Sequence, residues 1–90
     1  MVSRATARFW RAYAALPAEV QRQARAAYRQ FRDDPYHPGL RFKQVHPTAP
    51  VVSVRVGLHY RALGRREAAD TVVWFWIGSH AEYDRLTGAR

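Results

Sequence analysis

The apolar residues of the chain change their spacing at the segment 35–39, and this change constrains the fold more than any other feature of the sequence. Before this segment they recur at helical intervals of three and four residues, and after it they alternate with other residues at every second position. The segment contains Pro35, Pro38 and Gly39, a composition typical of a loop between two kinds of secondary structure. The sequence therefore predicts an α+β domain, helical in its first part and built on a sheet in its second.

Two helices are predicted before this loop. In the first, Phe9, Tyr13 and Leu16 fall on one face. Pro17 interrupts that pattern and suits the first turn of a second helix, which ends before Pro35 because a residue preceding proline avoids the α region. The second apolar face consists of Val20, Ala24, Ala27, Tyr28 and Phe31. The minimal link between the two helices predicts an antiparallel αα-hairpin.

Three or four short strands of an antiparallel sheet are predicted after the loop. They cover residues 40–43, 51–56, 59–63 and 71–77, with a polar connection over residues 64–70. The last strand is apolar on both faces, as expected of a central strand in a covered sheet.

A short C-terminal helix is predicted to follow. Gly78 ends the last strand, and Ser79 and Glu82 have the spacing of a capping box at the start of a helix. The predicted fold is therefore an N-terminal αα-hairpin packed on a three- to four-stranded antiparallel sheet with a short C-terminal helix, in one domain over residues 1–90.

The charge of the chain narrows the classes of function. It has 15 Lys and Arg against 7 Asp and Glu, a formal net charge of +8, which indicates a polyanionic partner. Only two of the basic residues, Arg85 and Arg90, follow position 66, so the polyanion-binding surface is expected in the first two thirds of the chain. Four arginines form a stripe on the second helix, at positions 22, 25, 29 and 32. This stripe is interpreted as a solvated face, with contact to RNA or to an acidic partner as the alternative.

Other classes are excluded by what the sequence lacks. Without cysteine there are no disulfides, thiolate zinc sites or cysteine nucleophiles. The longest apolar run, Val72–Ile77, is too short to cross a bilayer, and the N-terminus has no apolar export signal. No pair of histidines has the spacing of metal ligands next to a carboxylate. A cytoplasmic protein with no metal site and no membrane partner is expected.

The length of the loop between the second and third strands decides where Arg55 and Arg61 lie. A three-residue loop, Gly57–His59, pairs Val56 with Tyr60 and Arg55 with Arg61, so that the apolar residues share one face. A two-residue loop turns Arg61 into the core, where an unpaired guanidinium is strongly destabilising. The three-residue loop is therefore predicted. The two guanidinium groups then repel each other unless an anion such as a phosphate lies between them.

His80 and Tyr83 are candidate site residues at the start of the C-terminal helix. The helix dipole at this end favours an anion and disfavours a protonated imidazole, so His80 is a candidate for proton transfer. Tyr83 lies on the same side of the helix and is a candidate for stacking on a base. The alternative is that both residues only cap and pack. Arg41, Lys43 and His59 are further candidates for RNA contact.

The order of these elements and several short motifs resemble the RelE/ParE family of bacterial type II toxins. The motifs are Leu16-Pro17, Asp34-Pro35, residues 54–57, residues 59–61, and residues 76–80 followed by Tyr83. The resemblance implies a toxin that is neutralised by a co-expressed antitoxin and acts in one of two ways, by cleaving mRNA in the ribosomal A site or by inhibiting DNA gyrase. The RNA-cleaving branch implies a ribonuclease without metal or other cofactor, in which a ribose 2′-hydroxyl attacks the adjacent phosphate.

The resemblance also implies roles for individual residues. Arg61 would bind the scissile phosphate, Arg55 would be the basic residue of the preceding strand, and His80 and Tyr83 would transfer a proton and orient a base. Ser53 stands where some relatives have a second basic residue, so the general base stays open. The predicted function is a ribosome-dependent mRNA endonuclease whose partners are an antitoxin, the ribosome and mRNA. The alternatives are a gyrase inhibitor without nuclease activity and a passive nucleic-acid-binding module.

Overall fold

A five-stranded mixed sheet organises the chain, with helices on both of its faces. The computed structural model describes residues 1–87, so residues 88–90 of the predicted domain lie outside the described part. The elements in chain order are β1 (Val2–Ala5), α1 (Ala7–Ala14), α2 (Ala18–Asp33), β2 (Lys43–Gln44), β3 (Val51–Val56), β4 (Tyr60–Ala68), β5 (Thr71–Ser79) and α3 (His80–Thr87). The strands lie in the order β1-β5-β4-β3-β2. The predicted α+β fold class is confirmed.

The two N-terminal helices form the predicted αα-hairpin. Thr6 begins α1, and its side-chain oxygen accepts a hydrogen bond from the backbone N–H of Phe9 at 3.1 Å, a favourable N-cap. Pro17 precedes α2, which ends at Asp33. No helix in the described residues is long and apolar enough to cross a membrane.

The main core lies between this hairpin and one face of the sheet. Phe31 of α2 is 2% exposed and packs edge-on against Trp74 of β5 and against Phe42, with ring centroids 5.4 Å and 5.0 Å apart. The other buried members of this core are Leu40, Val52, Val54, Val56, Ala62, Val72 and Ile77. The alternating valines of β3 therefore point towards the helices, as their spacing predicts.

The sheet has more strands than the sequence predicts, and one of its pairings is parallel. Residues 2–5 form an edge strand, β1, that runs parallel to β5, with Val2 opposite Thr71 and Ala5 opposite Trp74. This strand was not predicted, because four residues show too little periodicity to identify a strand. The prediction of three or four antiparallel strands is wrong in these two respects.

The polar connection predicted over residues 64–70 is also wrong, because β4 continues to Ala68. Its polar side chains are accommodated in a strand whose pairing with β5 is irregular between Arg66 and Ala68. Arg65 is exposed, whereas the guanidinium of Arg66 lies over the ring of Phe42 at 5.4 Å and donates a hydrogen bond to the Tyr36 hydroxyl at 3.0 Å. The polarity of these residues therefore predicts a loop where the structure has a strand.

The strand predicted over residues 40–43 is wrong in most of its length. Residues 38–40 form a 3-10 turn that buries Leu40, and Arg41 has a φ of 48°, in the left-handed region. Pairing with β3 begins only at Lys43, which lies opposite Ser53.

A β-bulge in β5 places its two tryptophans on opposite faces of the sheet. Gly64 pairs with Trp74 and Leu63 pairs with Trp76, which leaves Phe75 as the extra residue between them. Simple alternation along β5 would place Trp74 and Trp76 on the same face, and the extra residue prevents this. Trp76 instead packs with Leu63 and Tyr83 in a second buried cluster, on the face away from α1 and α2.

We expect Phe31→Ala to lower the free energy of unfolding by about 3–5 kcal/mol, because it removes a buried ring that contacts two others. Tyr28→Ala on the same helix is the matched control. Tyr28 is 50% exposed, so its removal should cost less than about 1 kcal/mol. Urea denaturation of the two variants measures both values, and equal losses would contradict the assignment of Phe31 to the centre of the core.

Candidate active site

The register of the β3–β4 hairpin brings two predicted site residues together. Arg55 lies opposite Arg61, and Val56 lies opposite Tyr60, as predicted for the three-residue loop. Gly57 begins this loop with a φ of 59°, a conformation that favours glycine. Because the valines of β3 point into the core, Arg55 and Arg61 lie on the opposite face of the sheet.

Arg61 has donor groups that the described protein does not use. Its Nε and Nη1 atoms are buried and find no hydrogen-bond partner within residues 1–87. Its Cζ lies 5.3 Å from the centre of the Tyr83 ring, a cation–π contact that holds the guanidinium against α3. Buried donors without partners are destabilising, and an anion with several oxygen acceptors would relieve this cost.

Arg55 is held at the hairpin loop. Its Nε donates a hydrogen bond to the backbone carbonyl of Gly57 at 2.9 Å. Residues directly opposite each other in an antiparallel pair have Cβ atoms about 4.5–5.5 Å apart, so Arg55 and Arg61 place two positive side chains next to each other. An anion between them removes the repulsion.

The start of α3 is fixed by the predicted capping box, which is confirmed. The backbone N–H of Glu82 donates to Ser79 Oγ at 3.2 Å, and the backbone N–H of Ser79 donates to Glu82 Oε1 at 3.2 Å. The backbone N–H of His80 also donates to the carbonyl of His59 at 2.7 Å. This last bond ties the helix to the end of the β3–β4 loop and so to the two arginines.

Tyr83 lies between Arg61 and His80. It is 7% exposed, packs with Leu63 and Trp76, and its ring centroid is 5.8 Å from that of His80. The ring is therefore covered mainly by protein and contacts the guanidinium of Arg61 from α3. In this arrangement Tyr83 holds Arg61 in position, and only a small part of the ring is open to a base.

His80 is exposed at the first position of α3. Its Nδ1 lies 3.2 Å from Oδ2 of Asp84, one helical turn further on. A carboxylate at this distance orients the imidazole and leaves Nε2 as the atom for proton exchange. Sequence reasoning did not find Asp84, although its spacing of four residues from His80 on a helix is the signal that could have indicated it.

The three residues predicted to contact RNA have different positions. Lys43 is exposed and, through its pairing with Ser53, belongs to the same face as Arg55 and Arg61. His59 is exposed in the hairpin loop. Arg41 is exposed in the turn before β2, so strand pairing does not bring it to this face.

The arginine stripe of α2 lies away from this site. Arg22 forms an ion pair with Glu19, Arg25 donates to the Tyr13 hydroxyl at 2.7 Å, and Arg32 donates to Asp33 at 3.0 Å. The hydrogen bond and charge of Asp33 raise the pKa of Arg32 above its ordinary value. These local partners favour the interpretation of the stripe as a solvated face.

The cavity of the structure lies away from Arg55 and Arg61, and the described residues hold no group of metal-binding side chains. A largely apolar cavity of about 430 Å³ lies on the helical face of the sheet, lined by residues such as Phe9, Tyr13, Tyr28 and Trp74. Within residues 1–87, no group of three or more His, Asp or Glu side chains is arranged to hold a metal ion.

Comparison with known proteins identifies the family. The family model described as "ParE-like toxin domain" matches residues 18–85, which include β3, β4, β5 and the site residues just described. The chain belongs to the ParE-like toxin family. The resemblance to RelE/ParE toxins seen in the sequence is therefore confirmed, and the protein is a toxin of a toxin–antitoxin system. A comparison with curated protein sequences found no significant match.

Solved structures of toxins share the fold of this ParE-like toxin. A RelB–RelE antitoxin–toxin complex from Methanococcus jannaschii matches with a TM-score of 0.71 and 14% identity, covering 91% of this chain and 96% of that one. A YoeB/ParE toxin from Agrobacterium tumefaciens matches with a TM-score of 0.67 and 15% identity, covering 89% and 99%. The toxin–antitoxin complex RelBE2 from Mycobacterium tuberculosis has a TM-score of 0.60 and 25% identity, covering 88% and 96%.

We expect Ser79→Ala to loosen the start of α3 by about 1 kcal/mol, because it removes the N-cap acceptor of the helix. Amide hydrogen exchange in α3 should then become about fivefold faster, with little change in β4. Ser79→Thr, which retains the capping hydroxyl, is the control and should keep exchange near that of the wild type. Equal exchange rates in Ser79→Ala and the wild type would contradict this role for the capping box.

Proposed function

We propose that this ParE-like toxin is a metal-independent endoribonuclease that cleaves mRNA on the ribosome. The observation that carries the proposal is the state of Arg61, whose Nε and Nη1 are buried without a partner in the described protein and lie next to the positive side chain of Arg55. A phosphodiester supplies the oxygen acceptors that such a pair requires.

The reaction proposed is an internal transfer at the scissile phosphate. The ribose 2′-oxygen attacks phosphorus and loses its proton, and the bond to the 5′-oxygen breaks as that oxygen gains a proton. The products are a 2′,3′-cyclic phosphate and a 5′-hydroxyl. Arg61 and Arg55 stabilise the charge that develops on the phosphate oxygens, a type of stabilisation that is usually a large part of catalysis.

His80 transfers a proton in this scheme. Its Nδ1 faces Asp84, so Nε2 is the atom that exchanges the proton with the RNA. Tyr83 holds the guanidinium of Arg61 through its ring face, and its remaining exposed part orients a base. Lys43, Arg41 and His59 supply further contacts to RNA from exposed positions.

A cognate antitoxin is the proposed protein partner. Two of the structural neighbours are complexes of a toxin with its antitoxin, and the net charge of +8 suits an acidic protein as well as RNA. The ribosome supplies the RNA surroundings in which the positive charge steers and orients the toxin. A cytoplasmic location, where ribosomes and mRNA occur, is part of the same proposal.

Gyrase inhibition is the competing function, because the matching family model is ParE-like. Purified toxin added to translating ribosomes should create new mRNA 5′ ends that are phased with codons. The same preparation should leave gyrase supercoiling unchanged. Inhibited supercoiling with intact mRNA would show that the protein is a gyrase inhibitor and not a nuclease. If the toxin neither cleaved mRNA nor inhibited supercoiling, passive nucleic-acid binding would be the remaining function.

We expect Arg61→Lys to lower the rate of mRNA cleavage by about 10² or more, because an ammonium group cannot make the paired contacts of a guanidinium. Arg29→Lys is the matched control, since it makes the same charge-conserving change at an exposed position of α2 on the other side of the sheet. Its cleavage rate should stay within about twofold of the wild type. Equal losses in both variants would mean that the need for a guanidinium is not specific to Arg61.

His80→Ala should also lower cleavage by about 10² or more, because it removes the proposed proton-transfer group. His37→Asn, in an exposed loop, is the control, since asparagine keeps an acceptor for the Gly39 N–H that His37 Nδ1 now binds. Single-turnover cleavage on stalled ribosomes measures the chemical step directly. An unchanged rate in His80→Ala would remove His80 from the mechanism.

A further inference from the structure

Ser53 is a buried polar residue to which the proposed reaction assigns no role. It is 0% exposed, and its Oγ finds no hydrogen-bond partner within residues 1–87. Buried hydroxyls without a partner are rare and destabilising in folded proteins. A residue that breaks a general rule of stability in this way marks a position where function is expected.

The pairing of β3 with β4 places Ser53 beside Arg61. Ser53 lies opposite Leu63, and Arg55 lies opposite Arg61, so Ser53 and Arg61 are diagonal neighbours on the same face of the sheet. Diagonal neighbours are about 7–8 Å apart, which a long arginine side chain can span. One residue therefore has an acceptor without a donor, and its neighbour has buried N–H donors without an acceptor.

The present contacts of Arg61 leave its orientation incompletely fixed. The described contact of the guanidinium is with the ring face of Tyr83, and no hydrogen bond within residues 1–87 fixes the direction of its Nε–H and Nη1–H groups. Recognition of a phosphate by a guanidinium depends on the direction of its N–H groups. A hydrogen bond from one N–H to a fixed acceptor on the sheet would set that direction.

We propose that Ser53 is a positioning residue for Arg61. When a phosphate binds, one buried N–H of Arg61 donates to Ser53 Oγ while another donates to a phosphate oxygen, so that the guanidinium is oriented from both sides. This inference rests on the proposed function in one respect, that the phosphate is the scissile group of RNA. The hydroxyl reduces the stability of the free protein and orients Arg61 in the bound state.

Two substitutions at Ser53 and one control elsewhere test the inference. Ser53→Ala removes the hydroxyl, and Ser53→Cys keeps a side chain of similar size while replacing the hydroxyl with a weak hydrogen-bonding group. Ser3→Ala is the matched control. Ser3 also has a buried Oγ without a partner in the described residues, but it pairs with Val72 on the opposite side of the sheet.

The measurement is the NMR shift of the Arg61 Nε–H during titration with inorganic phosphate, with the signal assigned by its loss in Arg61→Lys. We expect Ser53→Ala and Ser53→Cys each to bind phosphate about tenfold more weakly than the wild type, the effect of losing one hydrogen bond to a charged group. Ser3→Ala should bind as the wild type does. The Tm of Ser53→Ala should be equal to or higher than that of the wild type, because an unpartnered buried hydroxyl is removed.

Equal phosphate affinities in the wild type and Ser53→Ala would overturn the inference, as would the absence of any phosphate-induced shift at Arg61. A lower Tm together with weaker binding in Ser53→Ala would also overturn it, since that result indicates a purely structural role.

In cleavage assays kcat/KM should fall about tenfold in Ser53→Ala. Ser53-dependent phosphate binding without any mRNA cleavage by the wild type would support the positioning role and reject the proposed function. Cleavage of mRNA that is as fast in Ser53→Ala as in the wild type would reject the positioning role and support the proposed function.

Discussion

The pairing of Arg55 with Arg61 depends on burying the valines of β3. Val52, Val54 and Val56 must face α1 and α2 to form the core, and the strand period of two then sends every intervening side chain to the other face. A slip of one residue in the hairpin would bury a guanidinium and expose the valines at the same time. Apolar burial on one side of the sheet therefore determines where positive charge gathers on the other side.

The bulge at Phe75 determines what stands beside that charge. Because of the extra residue, Trp76 leaves the helical face and packs with Leu63 and Tyr83. This second cluster provides the apolar surface on which α3 is anchored, and α3 brings Tyr83 against Arg61 and carries His80 next to it. Bulges often re-aim side chains next to active sites. Here the extra residue Phe75 allows α3 to pack against the face of the sheet that carries Arg61.

The parts of this structure that the sequence predicts are those that depend on neighbours along the chain. The hairpin register follows from Gly57 and the alternating valines, and the capping box follows from the spacing of Ser79 and Glu82. Strand β1 depends on pairing with β5, more than 60 residues away, and its four residues carry no pattern of their own. The bulge at Phe75 could not be predicted because an apolar run on both faces is compatible with either register.

The acidic residues of α3 have other partners than Arg61. Glu82 accepts hydrogen bonds from Ser79, and Asp84 faces His80, so the carboxylates of α3 serve the helix start and the imidazole. Arg61 is held by an aromatic ring. A carboxylate in that place would satisfy the guanidinium and compete with a phosphate, whereas an aromatic face holds the cation and leaves Nε and Nη1 without a hydrogen-bond acceptor. The unpartnered donors of Arg61 are thus a consequence of which groups surround it, and the proposed phosphate site rests on them.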